Sequence, residues 1–310
     1  MDGRLWTTMY REICRACKPV LKSRRAGRPR VYGTDEVLAV WAFAALMDWP
    51  ISVTHDRLKA GATGWWMQRH WSWPGRLPSV PTLTRRAKVT DFRRLLRKVL
   101  SRLRGLLSSA PTSHVLMDAT LLLTGAYSRD SQSRWVCHGG KWFRGYALHG
   151  VCDLNGVLWA RHVTSANVQE MKVSRRLVRQ LAAVAKGKVK LVISDKGNDS
   201  EPLHQLTRKR LKAPLLAPLN LRGGKTDHWR KRQPGRVEAD RLLHTAKGQR
   251  WFRERSAIER WNSLFKGKSH VSMLPYHVRT LRRVRLWIDL KLALFFLHQY
   301  LYRCDLTTAA

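Results

Sequence analysis

Three carboxylates stand where chemistry can be done. Asp195 follows the run Leu191, Val192, Ile193, a strand buried on both faces, and precedes Gly197 and Asn198, which break it. In open α/β sheets ligands gather at that strand end. Asp118 follows Val115, Leu116 and Met117 in a second strand-like run. A buried carboxylate there costs several kcal/mol unless a cation meets it. If the two strands lie side by side, mutual repulsion disfavours the fold without such a cation. The third, Glu259, lies in RWFRERSAIERWNSLFKGK, where Phe252, Arg255, Glu259, Asn262 and Lys266 recur at steps of three and four. That spacing predicts one helical stripe, with Ile258, Trp261 and Phe265 as the neighbouring apolar stripe that docks on the sheet. Hard oxygen ligands suit Mg²⁺ or Mn²⁺, and three carboxylates fit a pair of such ions roughly 3.5–4 Å apart. The chemistry is attack of water or a 3′-hydroxyl at phosphorus.

Each acid also has a plainer reading. Asp118 could cap a turn, and Glu259 could simply pair with Arg255 four residues earlier. Taken together the three favour metal-assisted phosphodiester chemistry. Asp199 competes with Asp195 for the second place, but Asn198, Asp199 and Ser200 ahead of Glu201 and Pro202 read as a helix N-terminus. Asp153 precedes Asn155 and Gly156 and reads as a hairpin-turn acid.

Composition names the partner. The 310 residues carry 59 Lys and Arg against 21 Asp and Glu, a formal net charge of +38, beside a hydrophobic content of 44% that can build a core. So large an excess repels itself unless a polyanion neutralises it, and the usual polyanion is nucleic acid. No apolar run is long enough to span a bilayer; the best, WIDLKLALFFLHQYLY, carries Asp289 and Lys291. No membrane association and a cytoplasmic location follow as expectations, with no export signal at the N-terminus. Five scattered cysteines suggest a reducing compartment, and the lone pair Cys14 and Cys17 lacks the further ligands of a structural zinc site.

The elements that must position the acids can be read in outline. TDEVLAVWAFAALM, from Thr34, predicts a buried helix. Before it, a basic linker with Arg28 and Arg30 is a candidate minor-groove strand, or plain solvated linker. Residues 61–81 hold Trp65, Trp66, Trp71 and Trp73 among Gly and Pro, either as core anchors or as stacking platforms. The segment SVPTLTRRAKVTDFRRLLRKVLSRLRGLL predicts one or two helices with Leu95, Leu96, Val99, Leu100 and Leu103 inward. Arg85, Arg86 and Lys88, in a stretch that could form a helix-turn-helix, are candidate DNA contacts. From Pro111 the pattern becomes strand, hairpin with Asn155 and Gly156 at its turn, helix, strand, helix, strand, and a helix over 251–267, a mixed α/β sandwich.

These residues resemble the DDE transposases of bacterial insertion sequences. The matching pieces are MDAT around Asp118, HVTSANVQE at 162–170, SDKGNDS around Asp195, and the helix of Glu259. The family pattern Tyr-x2-Arg-x3-Glu-x6-Lys is met as Phe252, Arg255, Glu259 and Lys266, with Phe in place of Tyr, so any hydrogen bond from that hydroxyl is absent. The resemblance implies an α/β, RNase H-like catalytic core over 111–270, a helical, basic, end-DNA-binding domain over 1–110, and a helical tail over 271–310 packing on the core. It implies that Asp118, Asp195 and Glu259 hold two Mg²⁺ or Mn²⁺ ions, that Arg255 and Lys266 contact transposon-end phosphates, and that a homodimer brings two ends together. The activity implied is metal-dependent cleavage at transposon ends and transfer of the freed 3′-hydroxyl to target DNA. Rival readings are a nuclease of the same fold that never joins, and a transposase-derived binder without turnover.

Overall fold

A computed structural model describes residues 3–17, 32–60, 77–185, 187–221 and 233–308. The candidates Arg28 and Arg30, the four tryptophans between 65 and 73, and the basic stretch 222–232 lie outside the described residues.

The backbone divides into two compact units, Met1–Leu107 with Arg285–Ala310, and Ser108–Val284. Residues 271–284 thus fall in the second unit and 285–310 in the first. The first unit is helical. Helices α1 (Gly3–Cys17), α2 (Thr34–Met47), α3 (Ile51–Lys59), α4 (Val80–Arg86) and α5 (Thr90–Leu107) precede the sheet. Helix α2 is apolar on several faces and is buried from Val37 through Ala45 except Trp41. Its N-cap is Gly33, not Thr34: the Gly33 N–H donates to the Glu36 carboxylate at 2.7 Å, a side chain reaching back to an amide the helix leaves unbonded. The expected stretch 79–107 is two helices. In α5, Phe92, Leu95, Leu96, Val99, Leu100 and Leu103 are buried while Arg93, Arg94 and Arg97 are exposed. Each such leucine contributes about 1.5–3 kcal/mol on leaving water. In α11 (Leu281–Thr308) Lys291 is 3% exposed and is held by Asp48 at 2.8 Å. No single helix among the described residues is long and apolar enough to cross a membrane.

The second unit is a mixed sheet flanked by helices, the α/β class the resemblance implies. Strands β1 (His114–Leu123), β2 (Arg134–His138), β3 (Lys141–Asp153), β4 (Leu158–Ser165), β5 (Leu191–Ser194) and β6 (Leu215–Leu216) form one sheet in the order β2-β3-β1-β5-β6, with β4 also paired to β3. β1 runs antiparallel to β3 and parallel to β5, so it carries a partner of each kind. The β3–β4 hairpin turns where expected, with Gly156 at φ 72° and the Asp153 carboxylate accepting the Asn155 and Val157 N–H groups at 3.0 Å.

Helix α6 (Glu170–Ala185) packs on β3 and β4, and α7 (Glu201–Leu211) packs on α6; α8 (Pro234–Leu243) and α9 (Ala246–Arg253) follow, and α10 (Ser256–Ser269) lies on β1 and β3. The last two correct an expectation. One helix was expected over 251–267; the chain instead breaks at Glu254 and Arg255, where Ala257 and Ile258 N–H groups reach back only three residues. Glu254 is held at 2.7 Å to His114 on β1, which fixes the break. Phe252 is therefore on α9, off the stripe of Glu259, and Arg255 is the N-cap of α10.

Candidate active site

The parallel register of β1 and β5 ends on Met117 opposite Ser194. Asp118, which continues β1, and Asp195, the first residue past β5, follow that pair directly, where neighbouring strands run about 4.8 Å apart. A hydrogen bond from Ser194 Oγ to the Met117 carbonyl, 2.9 Å, ties the strands just below them. Gly197 leaves the Asp195 carboxylate uncovered: a Cβ there would stand 3.2 Å from its Oδ1.

Helix α10 brings the third acid. Ile258, Trp261 and Phe265 are buried against the sheet, as the apolar stripe requires, with the Trp261 and Phe265 rings stacked 5.2 Å apart. The adjoining stripe then faces Asp118: Asn262 Nδ2 donates to Asp118 Oδ2 at 3.0 Å. One turn earlier is Glu259, whose carboxylate accepts from Arg255 at 2.5 Å. Burial pushes the Asp118 carboxyl up to about 6, Arg255 opposes that shift, and the charges of Asp195 and Glu259 add to it. All four groups are within electrical reach of one another.

A fourth carboxylate stands here that reading the sequence missed. Glu170, the first residue of α6, accepts from Asn198 Nδ2 at 3.3 Å, and the same amide donates to Asp195 Oδ1 at 3.2 Å and to Ser194 Oγ at 2.8 Å. Asn198 is fixed from its other side by the Ser174 hydroxyl. Burial first, then the charges of Asp195 and Asp118, raise Glu170 to about 7. The signal was in the order of residues: an acid at the first turn of a helix that directly follows the β3–β4 hairpin, where the helix dipole favours negative charge. Glu170 also lines a cavity of about 420 Å³ together with Ala119, Thr120, His138, His149 and Lys266. Lys266 thus borders the acids, seven residues and two turns beyond Glu259 on α10.

The donor chemistry, carboxylate oxygens from Asp118, Asp195 and Glu259 with Glu170 beside them, fits a hard divalent cation. As the side chains stand, Glu259 is occupied by Arg255 and Asp118 by Asn262, and among the described residues no three His, Cys, Asp or Glu groups form a ready-made metal set.

Asp199 is placed elsewhere. Its carboxylate, 2% exposed, accepts from Arg236 Nη2 at 2.6 Å, from the Asn220 N–H at 2.8 Å and faces His204 Nε2 at 3.2 Å; against the cost of burial these partners hold it below the usual range. Ser200, not Asp199, is the N-cap of α7.

The candidate DNA contacts of the first unit fare differently. Arg85 and Lys88 are exposed. Arg86 donates to the Tyr32 carbonyl and the Thr34 hydroxyl, both at 3.1 Å, and so ties α4 to α2. Trp261 is buried at 3% exposure, as core packing requires, whereas Trp142 is 67% exposed. It stands on β3 one residue past the strand's start, beside a two-glycine turn.

Residues 109–297, more than half of the chain, match a family model described as a transposase DDE domain. No curated protein matches the chain.

Proposed function

The chain belongs to the DDE transposase family, and from that premise we propose that it cuts duplex DNA at the ends of a mobile element and joins the freed 3′-hydroxyls to target DNA. The observation that carries this reading is the junction of Asp118, midway along β1, with Asp195, just past the end of the parallel strand β5, faced by the stripe of α10 that bears Asn262 and Glu259. The family generally uses divalent metal ions. In the proposed reaction Asp118, Asp195 and Glu259 hold Mg²⁺ or Mn²⁺, which when bound lowers the cost of deprotonating the nucleophile and screens the charge growing at phosphorus.

The chain's own groups do the rest. Asn262 fixes the orientation of the Asp118 carboxylate, and Asn198 does the same for Asp195. Arg255 shields Glu259 and lowers the repulsion at Asp118. Lys266, at the edge of the cavity, is placed to meet a phosphate rather than an acid. In the first step water attacks a phosphodiester and the 3′-oxygen leaves. In the second that 3′-hydroxyl attacks a target phosphodiester and displaces another 3′-oxygen, so the number of phosphodiester bonds is conserved. Two copies of the chain, one per end, would make the paired insertion.

The test uses Asp195→Asn with Mg²⁺ and DNA carrying the element's ends. Cleavage should fall by at least about 10³-fold, the scale expected when a group acting only in the transition state is lost, with end binding retained. Retained cleavage overturns the assignment. Pre-cut ends then separate transposase from nuclease: joined products support transposition, and cutting without joining assigns a nuclease.

A further inference from the structure

Strand β2 and the first residues of β3 form a ribbon that the chemistry above leaves unused. Gly139 and Gly140, at φ 57° and 75°, make the two-residue turn between paired His138 and Lys141, a turn whose twist matches the strands it joins. The register sets Trp135 across from Arg144 and Cys137 across from Trp142, so these four share one face of the ribbon. Val136 and Phe143 share the other, and Val136 and His138 line the cavity that holds Glu170 and Lys266. One side of the ribbon therefore bounds the acid site.

The other side looks into solvent. Trp142 is 67% exposed and Trp135 47% exposed. Two indoles left wet on one short ribbon forgo several kcal/mol of burial and mark an interaction surface. The base of the ribbon is held fast: Arg144 donates to Ser133 Oγ at 3.0 Å and to the Ala126 and Asp130 carbonyls at 3.2 Å. The tip carries no side chain at Gly139 or Gly140, so a phosphate backbone can approach it closely. Arg134 and Lys141, both exposed, alternate with the indoles along the ribbon and so stand on its opposite face, the one that carries Val136 and His138.

We propose that this ribbon is a nucleobase-stacking wedge, on which Trp142 covers a base exposed on the solvent side where duplex DNA opens beside the acid cavity, while Lys141 and Arg134 on the ribbon's opposite face meet phosphates on the cavity side. The proposal rests on the DNA-cutting reading above. DNA is the occupant because the ribbon carries wet indoles on one face and exposed cations on the other in a chain of net charge +38, and a flat ring stacks on any base while the cations neutralise phosphate.

The full chain is bound to two duplexes of equal length, one fully paired and one with a short mismatched bubble containing 2-aminopurine. Stacking contributes about 1–3 kcal/mol per base, so the wild type should prefer the bubble by about tenfold and change the 2-aminopurine emission. Trp142→Ala, at an exposed position that the fold does not need, should lose the preference and the emission change but keep its affinity for the paired duplex; Trp142→Phe should keep most of both. Equal wild-type affinity for the two duplexes, an unchanged preference in Trp142→Ala, or an equal loss on both overturns the wedge. Failure of the wild type to bind even the paired duplex overturns the DNA reading itself. A second measurement uses the exposed thiol of Cys137. A bubble cytosine bearing a tethered mixed disulfide should be trapped by Cys137, with release of the small thiol, and not in Cys137→Ser; absence of trapping, or equal trapping in both, also overturns the wedge.

Discussion

Asp195 and Asp199 lie four residues apart on one segment and live in opposite surroundings. Asp199 is sealed in and satisfied: Arg236 on α8, the Asn220 amide and His204 converge on it and hold its carboxyl below the usual range. Around Asp195 the balance is reversed. Its neighbours Asp118 and Glu170 are pushed up, to about 6 and about 7, first by burial and then in part by nearby charges, Asp195 and Glu259 acting on Asp118, and Asp195 and Asp118 on Glu170. A fold that can surround one carboxylate with partners leaves three others short of them within the same unit. The difference teaches which acids serve structure and which are kept in a state that a cation would relieve.

The largest effect should come from the satisfied side. Arg236→Ala leaves the buried Asp199 charge without its main partner, and removing one member of such a pair costs about 3–5 kcal/mol. Urea unfolding reads this directly, while the protein that remains folded should still cleave DNA. A loss under about 1 kcal/mol, within the range of exposed ion pairs, would erase the contrast between the two sites.

Much of this arrangement was legible in the chain, and the reasons are local. The strand runs before Asp118 and Asp195, the Asn155–Gly156 turn and the buried stripe of Ile258, Trp261 and Phe265 each declare themselves within a few residues. What stayed hidden depends on distant partners. The break at Glu254 follows from His114, on the first strand of the sheet, and nothing near Glu254 announces it. Glu170 reads as an ordinary first-turn acid until α6 is laid beside β5 and Asn198 joins it to Asp195. The β2–β3 ribbon was legible in principle, since Gly139 and Gly140 sit between strand-like WVCH and KWFR, and its two wet indoles could be known only once the sheet left them uncovered.

The next effect should be a pH dependence on the strained side. A raised carboxyl gives stability that is present in full below its unfolded value, near 4.5 for Glu170, and is lost as pH rises through its folded value of about 7. Without divalent ions, the wild type should therefore lose on the order of 3 kcal/mol more than Glu170→Gln between pH 4.5 and pH 8. Because Asp118 is raised beside it, the loss belongs to the pair and should be spread over that range rather than centred on one value. Parallel stability curves for the two proteins would show that Glu170 is not strained.

The smallest effect has the opposite sign on the two sides, which makes it the sharpest discriminator. Asp118→Asn keeps an acceptor for Asn262 Nδ2 and removes a charge that burial and its neighbours disfavour. In metal-free buffer at neutral pH it should gain about 1–2 kcal/mol of stability while losing cleavage, the trade expected where a fold is strained for function. Asp199→Asn should instead lose stability, because it strips the Arg236 guanidinium of its charged partner. Thermal melts of the two variants side by side decide the matter. If both fall by similar amounts, Asp118 is as well satisfied as Asp199, and the case for a cation-seeking cluster where β1 and β5 meet loses its energetic footing.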